Sequence, residues 1–216
     1  MKIRIAVAFS IAAVVAVTSP AAAIAGTVAL WHMDELSGTV MHDAAGSNNG
    51  TIHGATLGVP GYVHTAYQFS AGKAYVSVPS ASRLNPGARN LTVVAHVKLS
   101  TRPATGDYDV VKKGDYASAG GEYKVEILQS GQALCAFKGS QHYAQISGGP
   151  NLATGHWFTV TCTKTATAVT LKVAGRTFTN ARAVGSIGNS SPVGIAAGPG
   201  MDYYKGVLDE IRISVG

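Results

Sequence analysis

Apolar side chains recur at every second position through most of this chain, and nothing beyond residue 25 sustains a helical spacing. Leu91, Val93, Ala95, Val97 and Leu99 fall on one side of an extended segment. Residues 122–127 alternate charged with apolar side chains, and 157–162 and 169–173 are rich in β-branched and aromatic residues. Side chains of a strand alternate between two faces, so this pattern describes strands with one face in a core. Shorter segments at 28–33, 75–78, 109–111, 193–196 and 207–213 bring the expectation to about a dozen strands. Turn residues separate them, as at Ser130-Gly131, Gly148-Gly149-Pro150 and Ala174-Gly175. The last pair should join 169–173 to 176–179 in a tight hairpin. Only 13% of residues are charged, too few for a set of exposed helices, while 26 glycines suit many turns. The expected fold is all-β, a sandwich of two antiparallel sheets.

The first 25 residues follow other rules. Lys2 and Arg4 precede an apolar run over 5–17, and Ala23-Ile24-Ala25 closes the segment. That is the charged, apolar and small-residue order of a secretory leader, bacterial in appearance. Pro20 ends the run short of the roughly 20 apolar residues that a membrane span needs. Residues 1–25 are therefore expected to be removed, leaving one soluble, secreted domain over 26–216. Losing Lys2 and Arg4 lowers the net charge of +6 to +4. The remaining Lys and Arg are scattered rather than gathered into the stripe of a nucleic-acid binder. No nucleic acid and no membrane is expected as a partner, and the protein is expected to be a monomer. Cys135 and Cys162, the two cysteines of an exported chain, should form a disulfide between neighbouring strands.

Several motifs together resemble a known family. They are Leu30-Trp31-His32-Met33-Asp34-Glu35, then Asp43 to Thr51 with Gly46, Asn48, Asn49 and Gly50, then Ala66-Tyr67-Gln68-Phe69 and Tyr75-Val76-Ser77-Val78-Pro79. The chain ends on Gly206-Val207-Leu208-Asp209-Glu210-Ile211-Arg212-Ile213. This ordered set resembles the laminin-G-like jelly-roll domains of the concanavalin A-like lectin/glucanase superfamily, over nearly all of residues 27–213. The resemblance implies two stacked sheets, with 28–33 paired beside 207–213. It also implies a calcium ion near the terminal strands, held by Asp209 and by Asp43, Gly46 and Asn48 of the early loop. Calcium takes six to eight oxygen ligands from such groups.

Three sets of residues could carry chemistry. Glu122, Lys124 and Glu126 share one face of a strand. Glycosidases of the superfamily carry an acid at the central position too, and Lys124 there is expected to depress both carboxyl pKa values. The face should then lack the protonated acid that hydrolysis requires. Gln141-His142-Tyr143 and Gln145 suggest the His/Tyr pair of jelly-roll polysaccharide lyases without matching their strand motifs. Tyr116, His142, Tyr143, Tyr203 and Tyr204 offer rings that could stack on sugars. No G-x-S-x-G elbow, zinc spacing or phosphate loop is present. The expected function is a secreted, non-catalytic carbohydrate-binding module for an extracellular polysaccharide. The alternatives are a glycan-cleaving hydrolase or lyase, and a protein-interaction or adhesion domain.

Overall fold

A computed structural model describes residues 26–70, 72–197 and 202–216. The expected leader over residues 1–25 lies outside them. Sixteen strands form two antiparallel sheets, the jelly-roll sandwich expected. They are β1 (Gly26–Trp31), β2 (Val40–Met41), β3 (Gly50–His53), β4 (Thr56–Pro60), β5 (Thr65–Phe69), β6 (Tyr75–Val78), β7 (Leu91–Lys98) and β8 (Asp107–Lys113). Then come β9 (Glu122–Leu128), β10 (Ala133–Lys138), β11 (Tyr143–Gly148), β12 (Trp157–Lys164), β13 (Val169–Val173), β14 (Arg176–Asn180), β15 (Val193–Ile195) and β16 (Gly206–Val215). The first sheet runs β14-β13-β12-β7-β16-β5-β4, with β1 also paired to β16. The second runs β11-β10-β9-β8-β15-β6-β3-β2.

The alternation read in the sequence decides which side of each strand is dry. Leu91, Val93, Ala95 and Val97 of β7 all point into the core and are almost wholly buried. Val160 and Cys162 of β12 and Tyr123, Val125 and Ile127 of β9 do the same from either side. Burying each large side chain contributes roughly 1.5–3 kcal/mol, which is why a period-two pattern suffices to orient a sheet. Trp31 is fully buried, and its indole N–H donates to the Asn48 carbonyl at 2.8 Å, tying β1 to the early loop. β1 and β16 pair antiparallel, as the resemblance implied. The β13–β14 hairpin turns through Ala174 (φ 48°) and Gly175 (φ 72°), the two positive angles that a tight primed turn requires.

Cys135 and Cys162 are bonded, with their Cα atoms 5.5 Å apart. The bridge does not join neighbours in one sheet, as expected. It crosses the core from β10 in the second sheet to β12 in the first. Five strands escaped the sequence pattern: β2, β3, β4, β5 and β11. They are short or glycine-containing, and β4 and β11 bury few of their residues. No helix among the described residues is long and apolar enough to cross a membrane.

Candidate functional site

The second sheet turns an unusual face outward. Its register places Gln145, Ala136, Lys124, Lys112, Gly194, Ser77 and Thr51 in one row across seven strands. Glu126 and Asp109 stand opposite each other in the next row, and on the other side Lys138 lies between Glu122 and Tyr143. A β-bulge between Asp109 and Val111 brings Lys112 onto the same face as Asp109, three residues away. Outward positions of a sheet are ordinarily wet. Here Glu122 is 2% exposed, Glu126 3% and Asp109 0%. The charges form a packed, largely buried floor on this outward face.

These groups compensate one another in part. Lys124 Nζ lies 2.5 Å from Glu126 Oε1, and Lys112 Nζ lies 3.5 Å from Asp109 and 3.0 Å from Asp115. Burial alone would lower the Lys124 pKa, but the bond to Glu126 and the charges of Glu126 and Glu122 hold it above its usual value. The expectation that Lys124 depresses both carboxyl groups fails at Glu122. Burial raises its pKa by more than Lys124 and Lys112 lower it. Asp107 is pushed up to about 6, first by burial and then by the charges of Glu126 and Asp202.

Aromatic side chains stand on both sides of this floor. On one side Tyr116, 62% exposed on the loop after β8, packs edge-on against Tyr143 at 5.4 Å. Lys138 Nζ lies 4.0 Å from the centre of the Tyr116 ring and donates to the Tyr116 carbonyl. The Tyr143 hydroxyl donates to Gln145 at 2.5 Å. On the other side His53 stacks on Tyr75 at 4.4 Å, and Tyr203 meets Tyr75 edge-on at 6.2 Å. Tyr203 is held there because residues 202–204 run beside β8, with the Asp109 N–H donating to the Asp202 carbonyl at 2.9 Å.

The structure thus brings Tyr116, Tyr143 and Tyr203 to one face and leaves two expected residues off it. Tyr204 is fully buried between the sheets, and its hydroxyl donates to the carbonyls of Lys98 and Val207, so its ring cannot meet a ligand. His142 sits in the turn before β11, with Nδ1 3.0 Å from the Ala183 carbonyl oxygen. Adjacent extended residues point opposite ways, so His142 and Tyr143 do not act as a pair. Asp107, Asp109, Tyr75 and His53 were missed. Alternation in Asp107-Tyr108-Asp109 carried a signal, but the bulge that adds Lys112 did not show in the sequence.

The expected calcium ligands do not form one oxygen shell. Asp43 accepts four hydrogen bonds: the Leu30 and Ala45 N–H groups at Oδ1, and the Asn48 N–H and side-chain amide at Oδ2, all at 2.8–2.9 Å. Burial would raise its pKa, yet these donors hold it below the usual carboxylate value. A Cβ on Gly46 would collide with the Arg83 guanidinium at 2.2 Å, so a cation already borders the loop. Asp209 is spent elsewhere, accepting the N–H groups of Tyr62 at 2.7 Å, Val63 at 2.9 Å and Glu210 at 2.9 Å. Carboxylates whose lone pairs face N–H donors shape loops; they do not offer a cation its ligands. A different group could hold a metal ion. Ligand atoms of Asp107, Asp109 and Glu126 lie within 4.8 Å of one another on the charged floor. Asp107 Oδ1 there is buried with no hydrogen-bond partner among the described residues.

Comparison with known proteins agrees with this architecture. Residues 70–215 match the family described as the concanavalin A-like lectin/glucanases superfamily. No curated protein matches the sequence. Among solved structures, the binding domain of Paraclostridial Mosquitocidal Protein 1 superposes with a TM-score of 0.68 at 15% identity, covering 88% of this chain and 48% of that one. Domain 4 of AbnA, a GH43 extracellular arabinanase from Geobacillus stearothermophilus, solved in complex with arabinotriose, gives 0.63 at 19%, covering 89% and 93%. The binding domain of botulinum neurotoxin DC in complex with SialylT gives 0.65 at 13%, covering 88% and 48%. The chain spans about half the length of these toxin binding domains.

Proposed function

The chain belongs to the concanavalin A-like lectin/glucanases superfamily, and from that premise we propose that it is a secreted, non-catalytic module that binds an extracellular glycan on the outer face of its second sheet. One observation carries the reading: a floor of fixed charges and amides, with Tyr116 and Tyr143 on one side and Tyr75, His53 and Tyr203 on the other. Sugar rings present apolar C–H faces to aromatic rings and hydroxyls to fixed donors and acceptors, so this face offers both. The neighbours support it, since one was solved with arabinotriose and another with SialylT. The core-spanning disulfide fits an oxidising, extracellular destination.

Hydrolysis stands as the second reading because Glu122 has a raised pKa, as a general acid needs. Against it, the Lys124 ammonium pairs with Glu126 Oε1 and so weakens that carboxylate as a nucleophile or base. We place calcium, the cation implied by the family resemblance, at Asp107, Asp109 and Glu126, where a divalent ion would relieve the crowding of acids that raises Asp107. One affinity-gel panel of neutral and acidic polysaccharides, with and without calcium, tests these points together. Retention lost in Tyr143→Ala, with no reducing ends and no ultraviolet-absorbing product, is the expected outcome. Reducing ends that disappear in Glu122→Gln would establish the hydrolase instead. Calcium should raise the melting temperature of the wild type but not of Asp107→Asn.

A further inference from the structure

The opposite sheet carries a second aromatic face that nothing above explains. It is assembled from three places in the chain. Tyr62 lies in the turn between β4 and β5, His96 on β7 and Trp157 at the start of β12. Tyr62 stacks on His96 with ring centres 3.9 Å apart, and meets Trp157 edge-on at 6.1 Å. His96 Nδ1 lies 3.1 Å from the Thr159 hydroxyl, and Lys98 Nζ lies 5.8 Å from the Trp157 ring centre. All of these occupy outward positions, since Thr159, His96 and Asp209 align across β12, β7 and β16. Beside Trp157 opens a cleft of about 420 Å³, lined by Thr159, Thr161 and Lys172 among others.

Two features separate this face from ordinary surface. Tyr62 is 51% exposed and yet firmly held. The fully buried Asp209 carboxylate accepts the N–H groups of Tyr62 and Val63, and Asp34 accepts that of Thr65 at 3.0 Å, clamping both sides of the turn. Gly61 permits it, because a Cβ there would lie 2.4 Å from the Thr65 carbonyl oxygen. Burying a carboxylate is unfavourable unless it is well hydrogen-bonded, so the fold accepts a cost to hold an exposed ring in a fixed place. The cleft mixes apolar and polar groups, with Trp157, Phe158 and Val173 beside the Thr159 and Thr161 hydroxyls and the Lys172 ammonium, the combination that a sugar's C–H faces and hydroxyls call for. Its volume lies in the range of small-ligand clefts.

We propose that Tyr62, His96 and Trp157, with the Thr159–Thr161–Lys172 cleft, form a second saccharide-binding site on the opposite face from the first. One sugar ring stacks on the Tyr62–Trp157 surface, and the next places its hydroxyls against Thr159 and Thr161. Lys98 and Lys172 favour neutral or acidic saccharides over cationic ones. With ligands on both faces, the module bridges two chains of one polymer, which raises avidity without any new contact.

The sequence supplies its own reporter. Of the two tryptophans, Trp31 is fully buried, so changes in emission on adding a saccharide report Trp157. The probes are arabinotriose, linear arabinan, xylan, laminarin and polygalacturonate, added to the full mature protein. At least one should shift Trp157 emission in the wild type and equally in the Tyr116→Ala/Tyr143→Ala double variant. Tyr62→Ala, an exposed change that leaves the core intact, should weaken that response roughly two- to tenfold. Trp157→Phe should retain the affinity lost in Trp157→Ala when binding is read by affinity gel. Silence of Trp157 across all five probes overturns the inference, and so does a response that disappears in the Tyr116/Tyr143 double variant. Binding that survives in that double variant but fails in Tyr62→Ala supports this site and refutes the one proposed on the second sheet.

Discussion

The two sheets of this sandwich show the core almost the same face and show solvent quite different ones. Inward, both present Val, Ile, Leu and aromatic side chains at alternate positions. Outward, the first sheet offers threonines, His96, Lys98 and Trp157, with its one buried acid, Asp209, turned to backbone N–H groups. The second offers Asp107, Asp109, Glu122 and Glu126 interleaved with Lys112 and Lys124. Burial raises the Asp209 pKa to about 6 as well, but three backbone N–H donors offset part of that cost and tie the acid into the fold. Asp107, whose Oδ1 is buried with no hydrogen-bond partner among the described residues and whose pKa burial raises to about 6, burdens it, and such perturbed groups collect at functional sites. The inward pattern sets the fold and the outward one sets the function, which is how one jelly roll can host many activities.

The largest effect should come from cutting what joins the faces. The Cys135–Cys162 bond links β10 under the charged face to β12 under the aromatic one, across a sequence separation of 27 residues. Closing a loop of that length contributes about 3 kcal/mol in the chain-entropy account. Reduction, or a Cys135→Ser/Cys162→Ser variant, should lower the melting temperature by roughly 10 °C for a domain of this size. Thiol titration of the unreduced, denatured protein should find no free cysteine. Two free thiols would remove the tether from the comparison.

A smaller effect of opposite sign on the two faces should follow from removing one acid on each. Asp209→Ala leaves the Tyr62, Val63 and Glu210 N–H groups without their acceptor, at a cost of about 2 kcal/mol at pH 7. Asp107→Asn should stabilise instead. Burial raises the Asp107 pKa to about 6, above its unfolded value near 3.8, so the folded state holds more protons between those limits. Stability from this group is therefore present at low pH and is lost as pH rises from about 4 to 6. Melting curves between pH 3.5 and 7.5 should show a shallower decline for Asp107→Asn than for wild type. Equal slopes would mean that the acids of the charged face are solvated and its strain is absent.

The sequence disclosed the inward half of this contrast far better than the outward half. Leu91, Val93, Ala95 and Val97 announced their strand because burial needs only apolar character at the right period. Pairing of the terminal strands came through the Val207-Leu208-Asp209-Glu210-Ile211 motif and its family resemblance. The outward sites depend on register, which no local pattern encodes. Tyr62, His96 and Trp157 meet only because β4, β5, β16, β7 and β12 lie side by side, and Lys112 joins its face through a bulge. Asp43 was misread because residue type cannot separate a carboxylate that accepts N–H bonds from one that holds a cation. One clue was available: Trp157 precedes Thr159 and Thr161 at outward positions of a strand whose inward side is Val160 and Cys162.

The smallest structural effect tests the functional half of the contrast most cleanly. Tyr116 is 62% exposed and touches only Tyr143, Lys138 and its own loop among the contacts described. Such surface positions rarely move stability by more than about 0.5 kcal/mol. Tyr116→Ala should therefore melt within a degree or two of wild type. If the ring is surface decoration, glycan retention should be equally indifferent. If it walls a sugar site, retention should fall by roughly two- to tenfold, the worth of one aromatic contact. Tyr116→Phe separates the two components of that loss, because it keeps the ring over Lys138 and removes only the hydroxyl. Full retention in Tyr116→Phe beside a loss in Tyr116→Ala identifies stacking as the contribution. Unchanged retention in both, on a glycan that Tyr143→Ala fails to hold, moves the edge of the site inward to Tyr143 and the buried carboxylates beneath it.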